Sequence, residues 1–215
     1  MHQNRGINRT FVPIIVRVGL TLPVFPSVYY QHRIIRRTTP GQNRYAMTFQ
    51  ELNLIEPLKR AVAEKGYTTP TPIQQQAIPP ALEGRDLMGC AQTGTGKTAA
   101  YTLPLLNRLL LEGNEDNVIK SVIIVPTREL AQQIDQQFQG FSYYLPVSTT
   151  VVYGGGDGKG WDVQKRGMLM GSDVVIATPG RMISHIQNSG IDLSHVECLI
   201  LDEADRMLDM GFSED

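Results

Sequence analysis

Two short stretches carry residue types that could do chemistry. Ala91-Gln92-Thr93-Gly94-Thr95-Gly96-Lys97-Thr98 follows the apolar run Leu87–Cys90 and leads into a helical pattern. Small residues there let backbone N–H groups close around phosphate oxygens. The helix start adds partial positive charge, and Lys97 adds a full one. The Thr98 hydroxyl suits a magnesium ion bridging the outer phosphates. The general pattern has glycine where this chain has Ala91, and the bland alternative is a glycine turn that happens to carry a lysine. The second stretch, Asp202-Glu203-Ala204-Asp205, ends the apolar run Val196–Leu201. Asp202 at a strand tip is placed to hold the magnesium, usually through water, and Glu203 to orient and deprotonate an attacking water. Alone, such a run reads as a solvated acidic cap on the next helix. Hydrolysis needs both a phosphate cradle and a metal-plus-base site, and the two stretches together supply them.

These residues must be held by an alternating framework. Short β-branched or apolar runs occur at Leu87–Cys90, Ser121–Val125, Thr149–Tyr153, Val174–Ala177 and Val196–Leu201. Helical patterns separate them, notably Thr98–Leu111 and Arg128–Leu145, the latter with Leu130, Ile134, Phe138 and Phe141 on one face and Thr127 as its cap. Upstream, Leu52, Ile55, Leu58 and Val62 recur at helical spacing before Gly66. A second helix through Ile73, Ala77, Ala81 and Leu82 is disturbed by Pro79-Pro80 and closed by Gly84. Continuous apolar strands alternating with helices predict an α/β fold, a mostly parallel sheet covered on both faces. Ligands then sit at the carboxyl ends of the strands, where the polar and glycine-rich clusters of this chain fall.

At this point the residues resemble a known family. Thr48 to Phe212 is similar to the amino-terminal RecA-like P-loop domain of DEAD-box RNA helicases, most closely the bacterial RhlE-type branch. Asp202–Asp205 spells the family name, and the flanking Val196–Leu201 and Arg206–Phe212 also match. Gly66-Tyr67-Thr68-Thr69-Pro70-Thr71-Pro72-Ile73-Gln74, with Phe49 upstream, resembles the family's Q motif. The resemblance implies that the Gln74 amide pairs with the adenine edge while Phe49 and Tyr67 pack around the base. One donor and one acceptor suit adenine and mismatch guanine. It further implies contacts to the RNA sugar–phosphate backbone from Pro126-Thr127-Arg128-Glu129-Leu130, Gly154-Gly155 and Thr178-Pro179-Gly180-Arg181, with no base readout. Thr127 also reads as a helix cap and Gly154-Gly155 as a turn. ATP and Mg²⁺ are the implied cofactors, and ATP-dependent RNA unwinding the implied activity. A non-catalytic ATP- or RNA-binding module and a DNA-directed ATPase are the rivals.

The remainder bounds this reading. With 41% apolar and 7% aromatic residues the chain of 215 can bury a core, which excludes wholesale disorder. The net charge of −1 averages two unlike parts: seven arginines and no acid before Glu51, then −8 from Glu51 onward. Residues 1–46 show no steady period. A secretory signal conflicts with Arg17 and a transit peptide with the prolines, so a disordered extension or a start upstream of the natural Met47 is expected. No segment approaches the ~18–20 apolar residues of a membrane span. Cys90 and Cys198 read as buried thiols of a reducing, cytoplasmic setting. His185 and His195 lack ligand-spaced partners, so no metal beyond the nucleotide's own is expected. The loop Gly156–Gly160 is longer and richer in glycine than the family's. The family's Ser-Ala-Thr strand and second RecA-like domain, source of an arginine finger and half the RNA groove, do not occur within 1–215. In RecA-like sheets that strand lies between the two nucleotide-site strands. The domain 47–215 is therefore expected to be incomplete at its carboxyl end, a fragment with a gap in mid-sheet.

Overall fold

The computed structural model describes residues 47–92, 94–114, 116–143, 145–155 and 158–212, with backbone alone at 12–18, 33–35, 158 and 159. Its strands are β1 (Val12–Val18), β2 (Arg33–Ile35), β3 (Leu87–Ala91), β4 (Ser121–Ile124), β5 (Thr149–Val152), β6 (Val174–Ala177) and β7 (Cys198–Asp202). Phe49–Glu51 forms a 3-10 turn, followed by helices α1 (Glu56–Glu64), α2 (Pro72–Leu82), α3 (Lys97–Glu112), α4 (Arg128–Ser142), α5 (Gly158–Leu169), α6 (Pro179–Ser189) and α7 (Ala204–Asp209).

β3 to β7 form at the apolar runs, each within two residues of its expected bounds at either end. The helical spacing through Leu52, Ile55, Leu58 and Val62 instead divides. Helix α1 starts only at Glu56, because Pro57 fits a first turn and not a helix interior. The entering Ile55 N–H then donates to Oδ1 of buried Asn107 on α3 (2.8 Å), tying the two helices together. Pro79 and Pro80 do not break α2. They cost N–H groups only near its end, and their own carbonyls accept from Glu83 and Arg85 before Gly84 turns the chain at φ +73°.

The strand order is β2-β3-β1-β7-β4-β6-β5. All pairs are parallel except those of β1, which runs antiparallel to β3 on one side and to β7 on the other. The expected mid-sheet gap is therefore filled, and Val12–Val18 and Arg33–Ile35 are strands rather than disordered extension. The physical reason lies in Val12-Pro13-Ile14-Ile15-Val16-Arg17-Val18, rich in β-branched residues that suit a pleated backbone.

Alternation along the central strands divides the core between two faces. Ile123, Val174, Ile176, Cys198 and Ile200 face α1–α4, while Val122, Val175 and Ala177 face the side of α5 and α6. Between α6 and α7 the second face carries an open apolar groove of about 570 Å³ lined by residues including Met182, Ile186, Leu199 and Met207. Among the described residues no helix is long and apolar enough to cross a membrane.

Phe138 on α4 is fully buried in the larger cluster. Phe138→Ala should therefore cost about 3–5 kcal/mol, read as a lowered urea midpoint at unchanged slope.

Candidate functional site

The parallel strands deliver their carboxyl ends to one edge, and the phosphate loop and Asp202 arrive there together. Strand β3 ends at Ala91, and α3 starts at Lys97 with Gly96 as its N-cap in the left-handed region (φ +84°). Gly94 adopts φ +79°, and Thr95 folds back so that its hydroxyl donates to the Gln92 carbonyl (2.7 Å). Thr93 lies outside the described residues. One turn into α3, the buried Tyr101 hydroxyl donates to Asp202 Oδ2 (3.1 Å). A phenol on the helix that starts at Lys97 thus reaches the carboxylate expected to hold the metal.

The charges of this cluster are costly to bury. Lys97 is 8% exposed and Asp202 3% exposed. Burial lowers the Lys97 pKa, opposed first by the Asp202 charge and then by those of Glu203 and Asp205. Burial raises the Asp202 pKa, opposed first by Lys97 and then by the Tyr101 hydrogen bond. The oxygen donors of Thr98 and Asp202 are the hard type that magnesium prefers. A cation would relieve the burial penalty on the carboxylate, so the residues fit the metal. Among the described residues no group of three or more His, Cys, Asp or Glu side chains could hold one by itself.

Glu203 follows with φ +56°, ψ +43°, a left-handed backbone rare outside glycine. Its N–H donates to Asp202 Oδ1 (3.0 Å), and its Oε2 accepts from Arg206 (3.3 Å). This sharp turn separates the two carboxylates, leaving Asp202 inside while Glu203 stays partly exposed.

The Q-like segment reaches the same place. Gln74, 1% exposed, accepts from the Thr71 N–H at Oε1 (2.9 Å) and donates from Nε2 to the Gly96 carbonyl (3.0 Å). A Cβ on Gly96 would lie 2.4 Å from that Nε2, so a side chain there would displace the Gln74 amide as well as strain the left-handed backbone. Each end of the amide keeps one further bonding capacity, an acceptor and a donor. Phe49 is buried in the core rather than displayed. Tyr67 is 38% exposed, set edge-on between Phe49 (centroids 5.9 Å) and Phe141 (5.7 Å). Of the two aromatics expected around a base, Tyr67 alone has surface to offer.

A second cluster joins the ends of β4, β5 and β6. Thr127 caps α4 by accepting from the Leu130 N–H (3.3 Å), as its position predicts, with Pro126 preceding it. The exposed Arg128 donates to Glu129 (2.7 Å), and its guanidinium lies where a Cβ on Gly155 would approach to 3.6 Å. The Tyr153 carbonyl, just before Gly154-Gly155, accepts from Arg181 Nε (3.2 Å) and from Gln164 Nε2 (3.0 Å). Arg181, Thr178, Pro179 and Gly180 sit at the start of α6. The Arg181 guanidinium lies 4.9 Å from the Trp161 ring centre, and Trp161 stacks on His185 at 3.8 Å. His185 is fully buried between Gln164 (3.2 Å) and Ser189 (3.1 Å), and burial, then Arg181, lowers its pKa.

Several of these residues escape a reading by motif. Tyr101 carried a usable signal, since it lies four positions after Lys97 and so on the same helix face. Trp161 with Gln164, three apart, and Arg181 with His185, four apart, also share a helix face. Cys90 is exposed, contrary to expectation, because alternate residues of β3 face opposite sides; Cys198 is buried, which pushes its thiol up to about 12. The glycine-rich stretch becomes helix from Gly158, while Gly156 and Asp157 lie outside the described residues.

Comparison with known proteins follows the same lines. The DEAD/DEAH box helicase family model matches residues 71–215. A probable ATP-dependent RNA helicase ddx27 of Dictyostelium discoideum is 47% identical over 169 residues, covering 78% of this chain and 21% of the relative. The ATP-dependent RNA helicase DeaD of Klebsiella pneumoniae is 43% identical over 172 residues, covering 80% and 26%. The chain thus spans about a fifth to a quarter of these relatives, which come from eukaryotes and bacteria alike and do not single out the RhlE-type branch. Among solved structures, the RNA-helicase Prp28 from Chaetomium thermophilum bound to ADP superposes with a TM-score of 0.70 at 40% identity, covering 78% of this chain and 41% of that one. A DEAD box protein from Methanococcus jannaschii gives 0.67 at 34%, covering 78% and 44%. The α/β architecture is that of a RecA-like helicase domain, and the chain belongs to the DEAD/DEAH box helicase family.

Proposed function

We propose that residues 47–215 are the amino-terminal RecA-like part of an ATP-dependent RNA helicase. In this reading ATP and magnesium bind at Gly94–Thr98, and the RNA sugar–phosphate backbone binds along Thr127–Arg128, Gly154-Gly155 and Thr178–Arg181. The observation that carries it is the hydrogen bond from the Tyr101 hydroxyl, one turn into the helix that follows the phosphate loop, to Asp202 Oδ2 (3.1 Å), which ties that helix to the acidic strand end. The names of the relatives support ATP and RNA as ligands, and the two free thiols suit a reducing, cytoplasmic setting.

Lys97 and the loop N–H groups would hold phosphate oxygens, while Thr98 and Asp202 would hold magnesium. Bound there, the metal supplies charge neutralisation at the outer phosphates. Glu203, partly exposed and turned away from Asp202, would take the proton from an attacking water. The spare donor and acceptor of Gln74 match an adenine edge, with Tyr67 as its aromatic neighbour. Pro126 precedes the Thr127-capped start of α4 and Pro179 opens α6, so helix-start N–H groups and the nearby guanidinium groups would meet a phosphate backbone with no means of reading bases. Duplex opening needs a second RecA-like domain supplying an arginine finger and the other half of the groove. This chain alone should then bind nucleotide weakly and turn it over negligibly.

Three substitutions test this. Lys97→Ala should weaken binding of a fluorescent ATP analogue by about 1.5–3 kcal/mol, roughly 10- to 150-fold; unchanged binding refutes the cradle. In the full-length reading frame, Glu203→Gln should keep binding but cut RNA-stimulated turnover by roughly 10²–10⁴, and turnover that ignores RNA or survives the change overturns the helicase reading. Asp202→Asn should abolish the magnesium dependence of analogue binding while stabilising the free protein. Because the folded-state pKa of Asp202 is raised, its ionised form costs stability in full above that pKa. The thermal advantage of the variant should thus be largest at neutral pH and shrink as the solution is acidified and Asp202 protonates. An advantage that grows on acidification counts against the burial account.

A further inference from the structure

His185 is a buried titratable side chain that the proposed chemistry leaves unused. It lies on α6 midway between Arg181 and Ser189, one turn from each, so the three share one face of that helix. That face meets Trp161 and Gln164 on α5. The imidazole is fully buried and stacks on Trp161, with 3.8 Å between ring centres and 18° between planes. Its two nitrogens reach Gln164 and Ser189.

The partners decide where the protons sit. The Tyr153 carbonyl can only accept, so Gln164 turns its Nε2 end to it (3.0 Å). Gln164 Oε1 then faces Arg181 Nε (3.1 Å) and His185 Nε2 (3.2 Å). That oxygen can only accept, so His185 carries its proton on Nε2, and Nδ1 accepts from the Ser189 hydroxyl (3.1 Å). A flipped Gln164 amide would set its nitrogen against two donors and its oxygen against a carbonyl. The Arg181 Nε–H is shared between Gln164 Oε1 and the Tyr153 carbonyl (3.2 Å), directly before Gly154-Gly155. With Nε committed inward, the terminal nitrogens of this half-buried side chain are the part a ligand can reach. What an imidazole adds over an apolar side chain here is one directed N–H at Gln164.

We propose that His185 is a positioning residue for the RNA-binding surface: its Nε2–H holds the Gln164 amide in the orientation that keeps Arg181 Nε inward and presents the rest of the guanidinium to an RNA phosphate. This deepens, and for its effect on RNA rests on, the RNA reading above. It extends that reading to a residue that touches no RNA itself. Burial, then the Arg181 and Lys165 charges, lowers the His185 pKa, which favours the neutral ring this bonding pattern requires. The guanidinium is thereby oriented before a ligand arrives, so less ordering is left for binding to supply.

Trp161 is the single tryptophan of the 215-residue chain, so its emission reports on this cluster directly. Binding of a labelled single-stranded oligouridylate is read by anisotropy and by Trp161 emission. Arg181→Gln should weaken it roughly tenfold or more, and His185→Leu roughly two- to tenfold, the worth of one net hydrogen bond. His185→Gln, whose amide can again donate to Gln164, should recover most of that loss. In the Arg181→Gln background His185→Leu should cost nothing further, because it acts through Arg181. Ser189→Ala removes the bond on the other side of the ring; it should lower Tm and leave RNA affinity unchanged. Additive losses, equal affinities for the leucine and glutamine variants, or a Ser189→Ala loss as large as that of His185→Leu overturn the proposal. If His185→Leu does not fold, His185→Asn, whose amide stops short of Gln164, takes its place. Long-range ¹⁵N NMR near neutral pH should find His185 protonated at Nε2 alone, and the opposite tautomer overturns the proposal whatever the RNA result. A parent chain that binds no oligouridylate refutes the RNA reading. The tautomer then decides the positioning together with Arg181 Nε–H exchange, which should quicken in His185→Leu and not in His185→Gln.

Discussion

A carboxylate and an ammonium that are both nearly excluded from water, at the ends of two strands that do not touch, set the terms for this domain. Asp202 and Lys97 each lose hydration, and burial shifts each pKa away from its charged form against their mutual attraction. Such a pair is poor evidence of stability, since desolvation commonly exceeds the Coulombic gain. It is better understood as a site built ahead of its occupant. In the proposed reading, phosphate oxygens would answer the lysine and a divalent cation the aspartate, so the uncompensated charge of the free protein would become binding free energy. The Tyr101 hydroxyl keeps the carboxylate hydrogen-bonded in the meantime.

The sheet makes that arrangement possible. Parallel strands bring the phosphate loop, the acidic end and the three loops proposed to meet RNA to a single edge, as open α/β sheets do in general. Their separation along that edge is counted in strands. The loop and Asp202 lie two strand positions apart, and the pieces at the ends of β4, β6 and β5 follow on the far side of β7. Chemistry and grip are thereby kept on neighbouring tracts of one surface.

What could be read beforehand divides along physical lines. Val174–Ala177 and the helix capped by Thr127 were legible because burial on both faces leaves an unbroken apolar run, and a cap has a local cause. β1 was not: its pairing is entirely non-local, and Pro13 and Arg17 argue against a central strand despite the β-branched residues around them. Helix α5 was hidden by Gly158 and Gly160 in its first turn, where propensity is weakest and the packing of Met168 decides. At the site, Lys97, Asp202 and Glu203 announce themselves by type and place. Tyr101, Gln164 and His185 do not, since an ordinary core residue and a positioning residue look alike until their partners are known. Phe49 shows the converse, an aromatic in a matching motif that serves the core.

The two ends of the surface differ in how far they are set in advance. Around Arg181 the polar groups are cross-linked. Its Nε donates to the Tyr153 carbonyl and to Gln164 Oε1, its guanidinium lies 4.9 Å from the Trp161 ring centre, and Gln164 in turn meets His185, whose pKa burial lowers. A ligand meeting that face finds its donors oriented and has little ordering entropy to supply. The phosphate loop is different. Gly94 and Gly96 sit in conformations reserved for glycine, and the loop is tethered through one carbonyl to an amide with bonding capacity to spare. Anything that engages Gln74 bears directly on Gly96, the residue that begins α3 beside Lys97. The adjustable element thus lies at the proposed nucleotide end and the rigid one at the proposed RNA end. That is the asymmetry expected of a domain in which nucleotide sets the state and a repetitive, sequence-independent backbone merely has to fit.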